Sequence, residues 1–198
     1  MNNTQEIEEL LSKHNRQKMH ISNVLDEMKQ PFTSVVLIEP KDYSKVKVGV
    51  IGNYIEKDYA IIYICLNSGA KKISEDFNSE SKPVEKIHFI DMVSTSLGAT
   101  KSKLKNTIYL DSPSDMTECI FSVEKKLRNI KGNKLLVLDS ISTMLVYNDA
   151  SALEKFVHML MGKVNSYEAS AILFSTDFME RERSTKTIGQ FVDQTVKI

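Results

Sequence analysis

Glycine and proline are scarce in this chain, with seven and four among 198 residues. No stretch rich in Gly, Ser or Pro divides it, so one continuous domain is expected. With 41% hydrophobic and 26% charged residues, the composition is that of a folded globule rather than a disordered chain. Cysteine is rarer still: Cys65 lies in an apolar run and Cys119 in a helical pattern. Two such cysteines exclude a disulfide scaffold and read as buried small hydrophobes in a reducing compartment. Net charge is also missing, because 26 basic residues balance 26 acidic ones. The overall field therefore gives no reason to expect nucleic acid or an anionic membrane as partner. No apolar run approaches the roughly 20 residues of a membrane span. The start, "MNNTQEIEELL", lacks the basic and apolar regions of a signal peptide. A cytoplasmic protein is expected. The four histidines, His14, His20, His88 and His158, have no metal-ligand spacing with each other or with the cysteines. No Gly-x-Ser-x-Gly elbow and no Cys/His nucleophile pair is evident, so neither metal nor catalytic residues are assigned.

What is present is a regular alternation of elements. Residues 1–30 form an N-terminal amphipathic helix in this reading, with Ile7, Leu11, His14, Lys18, Ile21, Leu25 and Met28 at 4-3 spacing. Such a helix either packs on its own domain or serves as a dimerising contact, and Pro31 ends it. Residues 31–198 then read as one α/β domain. Val35–Ile38 is an apolar strand, followed by a helix from Ser44 to about Lys57 with Val46, Val50, Ile51, Tyr54 and Ile55 on its buried side. Strands follow at Tyr59–Leu66, Lys86–Val93 and Thr107–Leu110, with a short helix capped by Ser68 between the first two. "SPSD" (Ser112 to Asp115) carries helix-start signals. "KLLVLDS", a long helix from Ser151 to about Glu168, "SAILFST" and "QTVKI" complete the series. Continuous apolar strands separated by helices imply βαβ crossovers and a mostly parallel sheet between helical layers. The polar, basic segment 94–106 is a surface loop or a lid beside a strand end.

Two features carry chemistry. The stretch "EPKDYSKV" (Glu39 to Val46) sits between a first strand and a helix, where a phosphate-binding loop reads G-x-x-x-x-G-K-[ST]. "LLVLDS" ends a buried strand in Asp139, the position that holds or orients magnesium in P-loop ATPases. From there the sequence "KLLVLDSISTMLVYNDASALEKFVHMLMGKVNSYEASAILFST" resembles the KaiC-like branch of the RecA superfamily, in particular archaeal members with a degenerate phosphate loop. The likeness rests on Asp139, Ser140, Ser142, Thr143, Tyr147, Asn148, Phe156, His158, Ser175 and Thr176, and on the closing "FVDQTVKI". It spans roughly Ser34 to Ile198 and implies a three-layer RecA-like domain.

Carried onto the opening stretch, the resemblance places Glu39 and Ser44 at the two loop glycines, Lys45 at the phosphate lysine and Val46 at the magnesium-binding hydroxyl. Loop glycines let backbone N–H groups converge on phosphate. A glutamate there adds a negative charge, and Asp42 adds another. At about 4 Å and an effective dielectric near 20, one such repulsion is of order 4 kcal/mol. Relatives place a water-activating glutamate where this chain has Asn67 and Ser68, and an amide is no general base. Relatives also carry a basic pair beyond the last strand; here the nearby pair is Arg181 and Arg183, which read as a solvated loop. The resemblance implies a non-catalytic pseudo-ATPase module acting through a protein partner or self-association in regulation or signalling, with no cofactor. The alternative is a weak nucleotide switch in which Lys41, Ser44, Lys45, Asp139 and Ser140 form a vestigial ATP/Mg site. A third reading has Asp91, Asp111, Asp139 and Asp177, each after a strand, converge as the acids of a different enzyme.

Overall fold

The structure, a computed structural model, describes residues 16, 19–99, 104–176 and 187–197. The apolar runs become strands: β1 (Thr33–Ile38), β2 (Ala60–Cys65), β3 (Ile87–Asp91), β4 (Thr107–Tyr109), β5 (Lys134–Asp139), β6 (Ser170–Thr176) and β7 (Gln194–Lys197). They form one sheet in the order β4-β3-β2-β5-β6-β1-β7, and every neighbouring pair is parallel. The period-free apolar composition of β1, β2, β5 and β6 follows from this, since a parallel strand is covered on both faces.

Among the described residues, the helices packed on the sheet include α1 (residues 19–27), α2 (Tyr43–Glu56), α3 (Ala70–Ser79), α4 (Met116–Asn129), α5 (Ile141–Tyr147) and α6 (Ala150–Ser166). On one face of the sheet α1, α2 and α3 bury Ile21, Leu25, Ile51, Ile73 and Phe77 against Tyr63, Phe89, Val137 and Phe174. On the other, α4, α5 and α6 bury Cys119, Val123, Met144, Phe156 and Leu160 against Ile62, Leu136 and Leu173. The architecture is the expected three-layer α/β domain. Of the 4-3 seam, Ile21 and Leu25 are fully buried and Met28 packs beside them, so this part of α1 is held to its own domain. Asn53 Nδ2 donates to Ser22 Oγ at 2.7 Å, and Lys57 pairs with Asp26 at 2.5 Å, fixing α1 to α2. Ile7, Leu11, His14 and Lys18 lie outside the described residues.

Local details differ from the sequence reading where tertiary contacts override local signals. Ser68 is not the cap of α3; Gly69 takes that place, and the Asp91 carboxylate accepts from Ala70 N at 2.7 Å. "SPSD" is a turn ahead of α4 rather than its first residues, closed by Ser112 N donating to Asp115 Oδ2 at 2.9 Å. Ile141–Tyr147, to which the sequence reading assigns no element, is the seven-residue helix α5, capped by Ser140. Both described cysteines are buried and unbridged. No helix among the described residues is long and apolar enough to cross a membrane.

Candidate functional site

The link from β1 to α2 is only four residues, Glu39 to Asp42. Pro40 has no amide to offer. Asp42 N donates to Glu39 O at 3.0 Å, Tyr43 N to Pro40 O at 3.4 Å and Val46 N to Asp42 O at 3.1 Å. These N–H groups close a tight turn and begin the helix, whereas in a phosphate loop they point at the anion. Ser44 and Lys45 therefore fall inside the first turn of α2, both exposed to solvent. Lys41 is exposed too and pairs with Glu39 at 2.6 Å.

The lysine that reaches Asp139 is Lys47. It sits one helical turn after Tyr43, on the face of α2 that buries Val50, Ile51 and Tyr54. Its Nζ is 2.5 Å from Asp139 Oδ2, and both side chains are withdrawn from water, 7% and 0% exposed. Three further donors converge on the same carboxylate. Tyr43 OH donates to Oδ1 at 2.5 Å, Asn67 Nδ2 to Oδ1 at 2.7 Å, and Tyr63 OH to Oδ2. The ammonium also lies over the rings of Tyr43 and Tyr63, 5.3 and 5.8 Å from their centroids. A buried carboxylate needs a paired charge and filled lone pairs, and here one cation and three neutral donors supply both. Burial, and then the Asp139 charge, hold the Tyr43 and Tyr63 hydroxyls well above the ordinary tyrosine value. Both phenols are thus fixed as donors.

Around this pair lies a ring of hydroxyls at the carboxyl ends of β5 and β6. Ser140 Oγ caps α5 by accepting from Thr143 N at 3.3 Å and is 3.1 Å from both Ser142 Oγ and Thr143 Oγ1. Thr143 Oγ1 donates to Asn67 Oδ1, so the amide is oriented with its Nδ2 toward Asp139. Thr176 N reaches Ser142 Oγ at 3.3 Å. Of the sequence-derived set, Asp139 and Ser140 are brought together, while Lys41, Ser44 and Lys45 face solvent. Sequence reasoning missed Lys47, Tyr43 and Tyr63. A signal for Lys47 existed: it is spaced i−3, i−4 and i−7 from Val50, Ile51 and Tyr54, so a helix burying those residues also buries this lysine.

Of the other strand-end acids, the two that are described, Asp91 and Asp111, do not join the cluster. Asp91 and Asp139 flank β2, each in register with Cys65, and are therefore about 10 Å apart. Asp91 is consumed locally: Oδ2 accepts from Ala70 N and Ser94 Oγ, both at 2.7 Å, and Oδ1 accepts from Ser94 N at 2.9 Å and Val93 N at 3.1 Å. It ties the start of α3 to the turn after β3. Asp111 is exposed, and Asp177, Arg181 and Arg183 lie outside the described residues. Among the described residues, no three or more His, Cys, Asp or Glu side chains are grouped to hold a metal ion.

The fold matches solved structures at low identity. A KaiC-like protein from the hyperthermophilic archaeon Pyrococcus horikoshii OT3 superposes with a TM-score of 0.65 at 13% identity, over 86% of this chain and 73% of that one. An uncharacterized protein from Pyrococcus horikoshii, crystallised with an unknown peptide, superposes with a TM-score of 0.70 at 10% identity, over 90% of this chain and 82% of that one. The domain is a three-layer RecA-like fold, a parallel seven-stranded sheet between helical layers. No curated protein matches the chain. The chain belongs to the family of unknown function DUF7090, matched over residues 17–198.

Proposed function

We propose that this chain is a non-catalytic RecA/KaiC-like module, a pseudo-ATPase of the cytoplasm that acts through protein contacts in regulation or signalling. The observation that carries the reading is the Asp139 carboxylate, whose oxygens are taken by Lys47, Tyr43, Tyr63 and Asn67. In a P-loop ATPase this strand-end acid serves a magnesium ion; here a tethered ammonium fills that electrostatic role from within. The four-residue link after β1 adds support, because Pro40 has no amide, Asp42 N is spent on the turn, and the link's side chains include Glu39 and Asp42. Asn67, in the place of a water-activating acid, is a hydrogen-bond donor to Asp139. In this reading no cofactor is needed for the fold, and the sheet and helices serve as a scaffold for partners. The similarly folded Pyrococcus protein crystallised with an unknown peptide is in keeping with such a use.

One observation favours a weak nucleotide switch instead: Ser44 and Lys45 stand exposed on the first turn of α2, where an anion meets the positive end of the helix. Isothermal titration with ATP and Mg²⁺, on the natural chain and on Lys45→Ala, separates the two. The non-catalytic reading expects no saturable heat at millimolar ATP in either protein. Micromolar binding that is lost in Lys45→Ala overturns it in favour of the switch.

A further inference from the structure

At one end of the sheet stands β4, a strand of three half-buried residues whose strand neighbour among the described residues is β3 alone. A short strand at an edge is where a sheet opens locally. Just before β4 the Asn106 carbonyl accepts twice, from Phe89 N of β3 at 3.1 Å and from Lys126 Nζ at 3.3 Å. Lys126 belongs to the last turn of α4. It therefore ties that turn to the start of β4, at a point one residue from His88. His88 is in register with Ile62, which packs with Val123 and Leu127 of α4. Residues in register share a face of the sheet, so the imidazole faces the same helix. Its Nδ1 is buried and has no hydrogen-bond partner. In the neutral ring one nitrogen is a bare acceptor, whereas in the cation both are donors. A proton added here leaves a buried N–H with nothing to receive it, which is costlier than a bare nitrogen.

The charges around the ring do not favour a second cation. α4 presents Lys126, with exposed Lys125 beside it. Of the acids on α4, Glu124 is taken by Lys163 and Arg128 at 2.9 and 3.4 Å, and Glu118 lies in the first turn, at the far end. Lys105, exposed, precedes Asn106. Tyr109 of β4 is in register with Asp91 and alternates with Ile108, which packs on the α4 side, so the phenol is on the other face. β2 presents the apolar Ile62 and Ile64. Before β3, Glu85 is exposed and Lys86 pairs with Asp58 at 2.7 Å. Burial, and then the Lys126 charge, hold His88 below the ordinary histidine value. We infer that His88 is a proton-operated release for the β4 edge: protonation sets a second cation beside Lys126, loosens its tie to Asn106 and lets β4 come away from β3. The device does not depend on whether the chain binds nucleotide or a partner. An opened edge leaves the histidine in water, where it titrates near pH 6.5. The closed edge thus keeps its full stability above that pH and loses it as pH falls below.

The test is amide hydrogen exchange of the full chain by NMR at pH 7.5 and 5.5, corrected for the intrinsic rate at each pH. Phe89 N, bonded to Asn106 O, is the direct reporter, and the amides of β5 are the control. In the natural chain the protection of Phe89 is expected to fall about three- to tenfold at pH 5.5, while β5 keeps its protection. Tenfold is the ceiling, because pH 5.5 is one unit below the titration of the opened histidine. His88→Gln, neutral at both pH values, is expected to hold the same protection at both. Lys126→Met is expected to lower the protection of Phe89 at pH 7.5 at least about threefold, since the tie is gone. Far-UV circular dichroism confirms that each variant is folded. Unchanged protection of Phe89 in the natural chain between the two pH values overturns the inference. So does an equal fall in His88→Gln, or protection at pH 7.5 that is indifferent to Lys126→Met.

Discussion

Replacing Lys47 with methionine keeps the length of the side chain and removes its charge. Asp139 would then be left fully buried with three neutral donors and no cation. Breaking a buried pair by removing one partner typically costs about 3–5 kcal/mol. The remaining hydrogen bonds, each worth about 1.5–3 kcal/mol when the acceptor is charged, are already present in the natural protein and do not compensate. A domain of ordinary stability, about 5–15 kcal/mol, loses a large fraction of it. With a urea m-value of about 2–3 kcal/mol/M, the midpoint falls by roughly 1–2 M. The double variant Lys47→Met/Asp139→Asn removes both charges, so its loss is expected to be smaller than the sum of the single losses by at least about 2 kcal/mol. Equilibrium urea unfolding followed by circular dichroism measures both quantities. A loss below about 1 kcal/mol for Lys47→Met, the value of a solvated surface pair, would refute the reasoning.

Other consequences follow from named contacts. A methyl group at Gly69 would collide with Ser94 Oγ and lie 3.2 Å from Asp91 Oδ2, so Gly69→Ala is expected to lose about 2–3 kcal/mol in urea unfolding by disrupting the Asp91 link to α3. Gly132→Ala, at φ +77° with open space around it, is expected to cost only about 1–2 kcal/mol, the penalty of the left-handed backbone. Tyr43, Tyr54 and Tyr63 have pKa values raised above 10.0, mainly by burial. Their neutral forms are favoured on folding, so stability is intact below pH 10 and falls as pH rises beyond it, by up to about 1.4 kcal/mol per pH unit for each phenol. Unfolding free energies between pH 8 and 11.5 check the sign, and Tyr63→Phe is expected to flatten the alkaline slope.

Much of the fold was legible because its signals are redundant. β2 and β5 are apolar without alternation, which only a strand covered on both faces tolerates, and the helices between strands force parallel pairing. The carboxyl-end location of Asp139 followed from the same pattern. Boundaries set by distant groups were not legible: α3 begins where Asp91, 21 residues later, accepts from Ala70 N, so the local serine signal misled. α5 was hidden because a seven-residue helix after a capping Ser140 shows too few turns for periodicity to register. In the site, the place of Lys45 at the phosphate lysine came from the resemblance, carried by position along the strand–loop–helix pattern. The link is shorter than that pattern assumes, so Lys45 rotates to solvent and Lys47 takes the buried position. Tyr63 was unreadable as a site residue, since a tyrosine in an apolar strand looks like core until its hydroxyl finds Asp139.

The central claim is that Asp139 is the internal counter-ion of Lys47 and holds no metal–nucleotide. Electron paramagnetic resonance of Mn²⁺ with ATP, titrated into the natural chain and into Asp139→Asn, tests it most directly. The account predicts the spectrum of Mn²⁺–ATP free in solution with either protein. A bound Mn²⁺ signal near one equivalent in the natural chain, abolished in Asp139→Asn, would contradict it.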